Sequence, residues 1–599
     1  MTRPKTVYLE TMGCQMNALD SELVFGELLA RGYAPTDDLN SASLVVLNTC
    51  SVRQHAEDKV YSRLNQLKHT AKRHPDRIVA VIGCMAERDG DGLLDKSPIV
   101  NILCGPGELH RLPALLDDVQ SSRDRAVALS GRLRDRSTPV RAADGHDDLE
   151  TLDSGRAFES AVHAHMPRAL GRRQAYVRIT RGCNKHCTFC VVPYTRGPEQ
   201  HRPPSQIVDE VKRLSDAGVL EVTLLGQTVN HYEWLNDGRG QGSGVRFQGL
   251  QSGPISWVET AQDAELRSQD SGLNAAPASR TPQAASLILP PDPDTNFAQL
   301  LRRVHDEVPQ LPRLRFVTSY PRDFTDEALR VMADSPRICR YLHIPAQSGS
   351  NAVLKRMNRG YTVEQYKALI DRARDLMPDI ALAGDMIVGF CGETDDDFSA
   401  SCDLLRFCRY KNCFIFKYSP RPGTPADDRL ADDVPDLVKR QRNNDLLAIQ
   451  AEVNMANHRE MIGRVVEVLV EGPSKSAIKA QESEQERGQE IDHAALDRLS
   501  AGDPTATGRT APGGDSPTAA RPSLRGQLVG RTRGDQIVVF DGRSEHIGSL
   551  ANVEVTAITP YTLHGRLAGD GPDAVHPPHP HPAIHSTDKS IPLAILGAH

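Results

Sequence analysis

The fold is decided by the stretch Arg181-Gly182-Cys183-Asn184-Lys185-His186-Cys187-Thr188-Phe189-Cys190, in which three cysteines have the spacing C-x3-C-x2-C. It comes directly after a predicted strand at residues 176–180. Three thiolates on one tight loop can hold three irons of a 4Fe–4S cluster and leave the fourth iron without a protein ligand. An open coordination position indicates chemistry rather than a purely structural metal. The alternative is a zinc site, for which His186 and His201 are the candidate fourth ligands.

Six strand patterns, most of them separated by helical patterns, begin at this loop and continue toward the C-terminus. They cover residues 176–180, 221–225, 314–318, 341–344, 381–388 and 414–418. Repeated strand–helix units predict a parallel sheet that is covered by helices. Six such units indicate a partial (β/α)6 barrel over residues 173–457, with its chemistry at the C-terminal ends of the strands.

The N-terminal part predicts a separate parallel α/β sheet domain over residues 1–120. Its strands are predicted at 7–11, 44–48 and 78–82, with an amphipathic stretch at 18–31 and a polar helix at 53–69. Cys14, Cys50 and Cys84 each follow one of these strands. Because ligands bind at the carboxyl edge of such sheets, the three thiols are predicted to form a second three-cysteine cluster site there. The alternative is that they are small buried core residues.

The remaining cysteines show no such placement and are predicted to be packing residues. They are Cys104, Cys339, Cys391, Cys402, Cys408 and Cys413. A long chain without a secretion signal does not favour a disulfide framework, so cysteine spacing is interpreted as metal binding or packing.

The C-terminal part predicts a small all-β domain over residues 458–566, with strands at 465–470, 536–540 and 551–555. Two segments are too poor in apolar residues to form a core and are predicted to be disordered surface insertions, at 236–295 and 475–523. Residues 121–172 are predicted to be a linker. Residues 567–599, rich in proline and histidine, are predicted to be a disordered tail, with metal binding as the alternative.

Composition limits the possible classes of function. The 599-residue chain carries a formal net charge of −7, so any nucleic-acid site would have to be a local basic patch. It has no run of eighteen apolar residues, and its first residues lack the apolar core of a signal peptide. A cytoplasmic protein without membrane contact is therefore expected.

Several strings resemble the methylthiotransferases, a branch of the radical S-adenosylmethionine (SAM) superfamily, and within that branch the tRNA isopentenyl-adenosine methylthiotransferases. The strings are Gly13-Cys14-Gln15-Met16-Asn17, Asn48-Thr49-Cys50-Ser51-Val52-Arg53, Cys190-Val191-Val192-Pro193-Tyr194-Thr195-Arg196-Gly197, Leu224-Leu225-Gly226-Gln227-Thr228-Val229-Asn230, His343-Ile344-Pro345-Ala346-Gln347-Ser348-Gly349-Ser350 and Tyr418-Ser419-Pro420-Arg421-Pro422-Gly423-Thr424. The resemblance covers the chain apart from the linker, the insertions and the tail. Two positions depart from the family pattern: Cys391 stands where proline is usual, and Tyr320 where histidine is usual.

The resemblance implies three domains in the predicted order, the last being a TRAM domain, which is a small RNA-binding β-barrel. It implies two 4Fe–4S clusters, whose ligands are the catalytic residues: Cys14, Cys50 and Cys84 for the first, and Cys183, Cys187 and Cys190 for the second, which binds SAM. It also implies that a radical formed from SAM removes hydrogen from carbon 2 of an adenine, which then receives sulfur and a methyl group.

Further SAM contacts are implied at the ends of three barrel strands, at Gly226, Gln227, Gln347, Ser348, Val388 and Gly389. The implied partners are the anticodon loop of tRNA, modified at position 37, and an electron donor such as flavodoxin or ferredoxin; a monomer is expected. Arg196 and Arg202 are candidates to pair with the SAM carboxylate or an RNA phosphate, or are solvated surface arginines. The candidate phosphate contacts are Lys417, Arg421, Lys439, Arg440, Arg442, Arg525, Arg531 and Arg533.

Two other functions stay open at this point. A methylthiotransferase for threonylcarbamoyl-adenosine in tRNA, or for an aspartate of a ribosomal protein, would carry the same cysteines. The strings at 191–196 and 226–230 favour the isopentenyl-adenosine family instead. The alternative of another class is a non-catalytic RNA-binding protein whose clusters serve structure or electron transfer.

Overall fold

The structure, a computed structural model, describes residues 5–51, 54–130, 173–236, 292–481, 483, 525–569 and 575–576. Most of the predicted linker, most of both predicted insertions and nearly all of the predicted tail lie outside these ranges, so their disorder stays a prediction. Within these ranges, no helix has both the length and the apolar character that crossing a membrane requires.

The N-terminal domain is built on a six-stranded parallel sheet. Its strands are β1 (Thr6–Met12), β2 (Ala34–Pro35), β3 (Leu44–Thr49), β4 (Ile78–Gly83), β5 (Ile102–Cys104) and β6 (Ala126–Ala128). Their order is β2-β1-β3-β4-β5-β6, with a topological switch point between β1 and β3. The central strands β3 and β4 are buried along their whole length, as expected where helices cover both faces of a parallel sheet.

Five helices cover this sheet: α1 (Gln15–Ala30), α2 (Gln54–Thr70), α3 (Cys84–Asp89), α4 (Asp91–Lys96) and α5 (Leu112–Ser122). Helices α1 and α5 pack on one face, and α2, α3 and α4 on the other. The sheet continues past residue 120, where the sequence predicts a linker. The reason is that β6 is only three residues long and partly exposed, so it lacks the apolar run that indicates a strand.

Helix α1 is buried on two sides. Val24 and Leu28 pack on the sheet of their own domain. Met16, Leu19 and Leu23 pack against inward-facing residues of the barrel domain. The predicted amphipathic stretch at 18–31 is therefore corrected to a helix that begins three residues earlier, at Gln15. A helix covered on both faces loses the one-sided apolar pattern from which its limits are predicted.

The second domain contains the predicted partial barrel. Its main strands are β7 (Gln174–Arg178), β10 (Glu221–Leu225), β13 (Arg313–Phe316), β14 (Tyr341–His343), β15 (Ala381–Val388) and β16 (Asn412–Lys417). They form two parallel sheets, β13-β10-β7 and β14-β15-β16, which the bridge between Leu314 and Ile338 connects. Short strands flank the loops: β8 (Thr180–Arg181), β9 (Gln200–His201), β11 (Glu233–Trp234) and β12 (Thr295–Asn296).

The helices of this domain pack outside the strands. They are α6 (Val192–Thr195), α7 (Pro204–Asp216), α8 (Phe297–Glu307), α9 (Asp326–Asp334), α10 (Asn351–Arg356), α11 (Val363–Leu376), α12 (Asp395–Cys408), α13 (Pro425–Arg429) and α14 (Asp436–Arg459). Side chains alternate along each strand. In β15, Leu382 and Met386 join the core beneath the helices, whereas Ala381 and Ala383 face the interior and meet α1.

The C-terminal domain is a small closed barrel. Its strands are β17 (Val465–Pro473), β18 (Arg525–Thr532), β19 (Ile537–Arg543), β20 (Leu550–Ile558) and β21 (Leu563–Leu567), with β22 (Val575–His576) added at the edge. The pairing of β17 with β20 closes the barrel. The sequence predicts β17, β19 and β20 but not β18 or β21, because glycine and arginine interrupt the apolar alternation in both.

Each insertion lies in the connection between two strands that pair with each other antiparallel. Residues 237–291 connect β11 to β12, and residues 484–524 lie between β17 and β18. The two ends of the first insertion lie side by side, and neither insertion interrupts a strand of the large barrel. The predicted disorder is wrong at two edges: residues 292–295 are ordered, and residues 475–481 form a helix that follows β17.

The small barrel docks on the amino-terminal ends of the large barrel's strands. Arg313, with no exposed side chain, donates to the Glu467 carboxylate and to the backbone oxygen of Arg531. Lys411 forms an ion pair with Asp535. Removing one partner of a buried pair is strongly destabilising, so these contacts fix the small barrel firmly. It lies at the end opposite the carboxyl ends of the strands, where barrels of this type perform chemistry.

Candidate active site

Cys14, Cys50 and Cys84 lie at the carboxyl edge of three neighbouring strands. The last residues of β1, β3 and β4 are directly opposite one another in the register of the sheet. Each cysteine follows its strand by one or two residues, so the three are brought together. Strands β1 and β3 flank the switch point, which is where open α/β sheets bind ligands.

Tight backbone packing and two asparagines hold this edge. A Cβ on Gly13 would lie 2.7 Å from the Cβ of Cys50, so only glycine fits there. The Cys14 thiol donates to Oδ1 of Asn17 at 3.2 Å, and Nδ2 of Asn17 donates to Oδ1 of Asn48 at 2.8 Å. The asparagines therefore link the loop after β1 to the end of β3.

The thiols of this triad differ in acidity. A hydrogen bond with Cys50, assisted by Arg196, lowers the pKa of Cys14 to about 6 against the opposing effect of burial. Burial raises the pKa of Cys84, and Arg196 partly offsets this. Metal ligation requires thiolates, so positive charge beside the triad favours a metal-bound state.

The C-x3-C-x2-C loop is fixed by its own backbone and by the barrel. The antiparallel pair β8 and β9 closes the base of the loop. Gly182 has φ 78°, and a Cβ there would lie 1.9 Å from the carbonyl oxygen of Pro198, so the position requires glycine. The Thr188 hydroxyl donates to the backbone oxygen of Arg356, the last residue of α10, at 2.9 Å.

Two side chains from distant parts of the barrel contact the thiols of this loop. Nη1 of Arg359 donates to Sγ of Cys187 at 3.3 Å. Oγ1 of Thr228 lies 3.5 Å from Sγ of Cys183. Burial raises the pKa of Cys183 to about 11, and the bond to Thr228 opposes the shift. Burial also raises the pKa of Cys190. These protein-enclosed thiols would lose their protons to a bound metal.

Aromatic rings orient the arginine that faces Cys187. The Arg359 guanidinium lies 4.5 Å from the ring centre of Tyr320 and 5.2 Å from that of Tyr361. Its Nε donates to the Tyr361 hydroxyl at 3.0 Å, and the Tyr320 hydroxyl accepts the backbone N–H of Gly360 at 3.0 Å. Tyr320, which departs from the family pattern, therefore places its ring against Arg359, the arginine that contacts Cys187.

The two triads face each other across the domain boundary. Helix α3, which begins at Cys84, packs against α6, which begins two residues after Cys190. Arg196, the next residue after α6, forms a 2.7 Å ion pair with Asp20 of α1, and the two side chains are 3% and 2% exposed. The predicted pairing of Arg196 with SAM or RNA is thus corrected: packing of α1 on the barrel brings a carboxylate of the other domain to it.

The described residues do not gather around a single ion, and both candidate zinc histidines make other contacts. Among the described residues, no three His, Cys, Asp or Glu side chains converge as the ligands of one metal ion would. The cysteines of a 4Fe–4S cluster each bind a different iron, so they surround a cube. His201, a candidate zinc ligand, packs 5.4 Å from the ring centre of Tyr232, and burial lowers its pKa to about 3. The other candidate, His186, accepts a hydrogen bond from Nδ2 of Asn358 through its backbone oxygen at 3.0 Å.

Buried positive charge near the triads also fits anionic cofactors. Arg178, Arg181, Arg196 and Arg202 are each 5–7% exposed. Burial, followed by the neighbouring Arg181 and Arg202, lowers the pKa of Arg178 to about 9. Arg202 itself pairs with Glu210 at 2.7 Å, which corrects its predicted role toward SAM or RNA. Thiolate-bound clusters and the SAM carboxylate are anions that Arg178, Arg181 and Arg196 would stabilise, whereas Glu210 compensates the charge of Arg202.

Three of the predicted SAM contacts lie where they can serve that role. Gln227 immediately precedes Thr228, which touches the cluster loop, and its Oε1 is buried without a hydrogen-bond partner in the described part of the chain. A Cβ on Gly226 would lie 2.3 Å from a methyl group of Thr180, so the strand end packs closely on the base of that loop. Gln347, at φ 71°, is anchored through its backbone at the end of the neighbouring sheet. Their contacts with SAM stay predictions.

The other three predicted SAM contacts use their side-chain positions for packing. Oγ of Ser348 lies 3.4 Å from Oγ of Ser401 on α12. The Val388 side chain belongs to the core beneath the helices. A Cβ on Gly389 would lie 2.3 Å from the Lys439 side chain. Only the backbone groups of these residues stay as predicted SAM contacts, since the end of a strand does not by itself define where a side chain points.

Most of the predicted phosphate contacts are used within the protein. Arg421, Lys439 and Arg442 are buried in ion pairs. Arg533 donates to the backbone oxygens of Pro336 and Pro312 and so holds the small barrel to the large one, whereas Arg531 pairs with Glu471 and Asp535 within the small barrel. These five are corrected to structural residues, because each is paired with a carboxylate of the protein itself.

Two of the predicted phosphate contacts stay available. Lys417 and Arg440 keep exposed side chains, and both pair with Asp436. On the small barrel, the described arginines with exposed surface are Arg464, Arg543 and Arg566. The side chain of Arg525 lies outside the described part of the chain.

Three residues of the site have no predicted counterpart. Thr228 was detectable, because it follows Gln227 in a family string. Arg359 and Asp20 carry no local signal, since they lie 172 and 176 residues from the side chains that they contact.

The six remaining cysteines are all buried, as predicted. Cys391, the second departure from the family pattern, packs with Phe390 and Tyr418 in a small cluster beside the barrel. It therefore fills space that the usual proline would occupy and lies outside both triads.

The domains and their order define the class of protein. Residues 6–105 match the Uncharacterized protein family UPF0004, residues 177–405 the Radical SAM superfamily and residues 521–568 the TRAM domain. The chain is therefore a radical SAM enzyme with an N-terminal α/β domain and a C-terminal TRAM barrel, which confirms the predicted fold class and the predicted SAM and iron–sulfur chemistry.

Closer relatives define the family. The chain is 39% identical to the tRNA-2-methylthio-N(6)-dimethylallyladenosine synthase of Rhodopirellula baltica, over 94% of this chain and 95% of that protein. It is 34% identical to the protein of the same name from Syntrophotalea carbinolica, over 92% and 97%. The chain belongs to the family of tRNA-2-methylthio-N(6)-dimethylallyladenosine synthases, and the predicted family is confirmed.

Solved structures show a weaker likeness. The radical S-adenosylmethionine methyltransferase TsrM from Kitasatospora setae aligns with 71% of this chain and 75% of its own, with 15% identity and a TM-score of 0.42. A likeness at this level carries no argument about the reaction.

Proposed function

We propose that this chain converts isopentenyl-adenosine, the N(6)-dimethylallyladenosine of the family name, at position 37 of tRNA to its 2-methylthio derivative. The observation that supports this best is the meeting of two cysteine triads from two domains, where α3 packs on α6. A single triad would suit SAM cleavage alone, whereas a second site beside it provides for the sulfur.

The two triads would hold the two clusters, and Gln227 and Gln347 would orient SAM at the carboxyl ends of the strands. When bound, SAM and the clusters supply the radical that removes hydrogen from carbon 2 of the adenine and the methylated sulfur that replaces it. The protein's own part is to place and compensate charge: Arg359 faces Cys187, and Arg196 lies beside Cys14 and Cys84.

An aromatic surface inside the barrel suits the target base. Phe414 and Phe416 of β16 are stacked, with ring centres 6.5 Å apart and planes at 16°. Cys413 and Ile415 pack beneath the helices, so alternation turns the two rings to the interior. Phe414 is 42% exposed. An adenine turned out of the anticodon loop would stack there, as bases do in RNA recognition.

The same surface favours the isopentenyl-adenosine target. An isopentenyl group is apolar and packs on rings, whereas a threonylcarbamoyl group brings a carboxylate that needs a cation or hydrogen-bond donors. The phosphate backbone would be bound by the exposed arginines of the small barrel, Arg464, Arg543 and Arg566, and by Lys417 and Arg440.

The cellular setting belongs to the same proposal. The enzyme would act as a monomer in the cytoplasm, where thiols stay reduced. A protein such as flavodoxin or ferredoxin would supply the electron that SAM cleavage consumes.

Nucleoside analysis of tRNA tests the proposal. A strain that lacks the gene should lose 2-methylthio-isopentenyl-adenosine and accumulate isopentenyl-adenosine. The wild-type chain and the packing variant Cys402→Ala should restore the modification, and Cys187→Ala should not.

Two outcomes would contradict this assignment. Loss of a methylthiolated threonylcarbamoyl-adenosine or ribosomal aspartate, with isopentenyl-adenosine unaffected, would favour a different target. Absence of 5′-deoxyadenosine when the reduced, reconstituted protein meets SAM would favour a non-catalytic iron–sulfur protein.

A further inference from the structure

A buried ion pair crosses the boundary between the N-terminal domain and the barrel domain. Arg196 belongs to the barrel domain and Asp20 to helix α1 of the N-terminal domain, and their side chains meet at 2.7 Å with almost no exposed surface. Arg196 also lies beside two thiols of the other domain: it lowers the pKa of both Cys14 and Cys84. The barrel thus contributes a cation to a cysteine site that the N-terminal domain otherwise builds alone.

One nitrogen of this arginine has no hydrogen-bond partner among the described residues. Nη2 donates to Asp20, whereas Nη1 is buried and makes no hydrogen bond within the part of the chain that the structure describes. A buried guanidinium N–H without an acceptor is costly unless a ligand supplies one. The sulfur atoms of a cluster on the adjacent triad are acceptors of the required charge.

We propose that Arg196 is a positioning residue for the cluster on Cys14, Cys50 and Cys84. Asp20 aligns the Arg196 guanidinium. The Nη1 group and the positive charge of Arg196 stabilise the thiolate-bound cluster. Within the function proposed above, this makes the sulfur-donating site a composite of two domains, so that it is complete only when the barrel is docked.

The charge has a predictable direction of effect. Reduction potentials of iron–sulfur clusters depend on net charge and on hydrogen bonds to the sulfurs. A cation beside the cluster stabilises its reduced form, so losing Arg196 should shift the potential of the N-terminal cluster to more negative values. Arg196→Lys should fall between, because it keeps the positive charge but its compact ammonium lacks the planar fork with which arginine spans Asp20 and the cluster.

The test uses the full chain with Cys183, Cys187 and Cys190 changed to alanine, so that only the N-terminal site binds iron. Arg196→Gln, Arg196→Lys and Asp20→Asn are added to this background and reconstituted anaerobically. Arg202→Gln is the matched control, since Arg202 forms an equally short buried pair with Glu210 but within one domain. Iron content, electron paramagnetic resonance spectra and redox titrations are measured.

We expect a more negative potential, an altered spectrum and lower iron retention for Arg196→Gln, a smaller change for Arg196→Lys and Asp20→Asn, and no change for Arg202→Gln. Spectra and potentials of Arg196→Gln equal to those of the background would overturn the inference. If Arg196→Gln does not fold, Arg196→Lys decides: an unchanged spectrum refutes the role and a shifted one supports it. Neither tRNA nor SAM is used, so the result is independent of whether the proposed reaction is correct.

Discussion

Replacing Arg359 by glutamine should weaken the SAM-binding cluster site. The guanidinium donates to Sγ of Cys187 at 3.3 Å and is held between two tyrosine rings. A hydrogen bond to a charged group contributes about 1.5–3 kcal/mol. Taking about 2 kcal/mol for the bond to the thiolate, iron binding at this site should weaken about thirtyfold. Arg359→Gln removes the charge and leaves the rings in place.

The assay is anaerobic reconstitution at limiting iron, followed by iron quantification and by the yield of 5′-deoxyadenosine from SAM. A matched control is Arg374→Gln, because Arg374 also donates to backbone carbonyls and lies over a ring, Phe407, but on the helical side of the barrel. The control should bind iron and cleave SAM like the wild type. Iron binding and cleavage by Arg359→Gln within twofold of wild type would refute the reasoning.

Three further changes have defined expectations. Asp535→Asn leaves Lys411 and Arg531 without their shared carboxylate and should cost about 3 kcal/mol, measurable as faster proteolytic release of the small barrel; an unchanged rate contradicts this. Burial lowers the pKa of His201 to about 3, whereas the unfolded chain binds that proton below about pH 6.5. Stability should therefore fall as pH drops from about 6.5 toward 3, by up to about 1.4 kcal/mol per pH unit, and His201→Gln should flatten the decline in thermal unfolding; equal slopes argue against it. Phe414→Ala should raise the KM for tRNA about tenfold through lost stacking and leave tRNA-independent SAM cleavage unchanged; an unaltered KM removes the proposed base surface.

The architecture was largely predictable because periodicity is a local property. Buried parallel strands such as β3 and β4 are nearly continuous apolar runs. The six main barrel strands were also predicted, although several, such as β7 and β13, mix polar and apolar residues. Prediction failed where an element was short or interrupted, as at β6 and β18. It also failed for α1, whose second apolar face packs on another domain.

The cysteine ligands were predictable for a related reason. The three thiols of the loop are adjacent in sequence, and the other three follow strands whose carboxyl ends a parallel sheet brings together. Charged residues were not predictable in this way. Arg421, Arg531 and Arg533 match the sequence pattern of surface cations, and only the structure shows that each is paired within the protein.

The sequence by itself determined which thiols can bind iron and on which strand ends they lie, because spacing and alternation are properties of neighbouring residues. Only the tertiary structure decided that the two triads face each other and that Arg196 joins the two domains through Asp20. It also decided that Arg359, packed on Tyr320, contacts Cys187. These contacts join residues up to 176 positions apart. Their geometry comes from how α1 and the barrel pack, and side-chain packing between domains leaves no periodic trace along the chain.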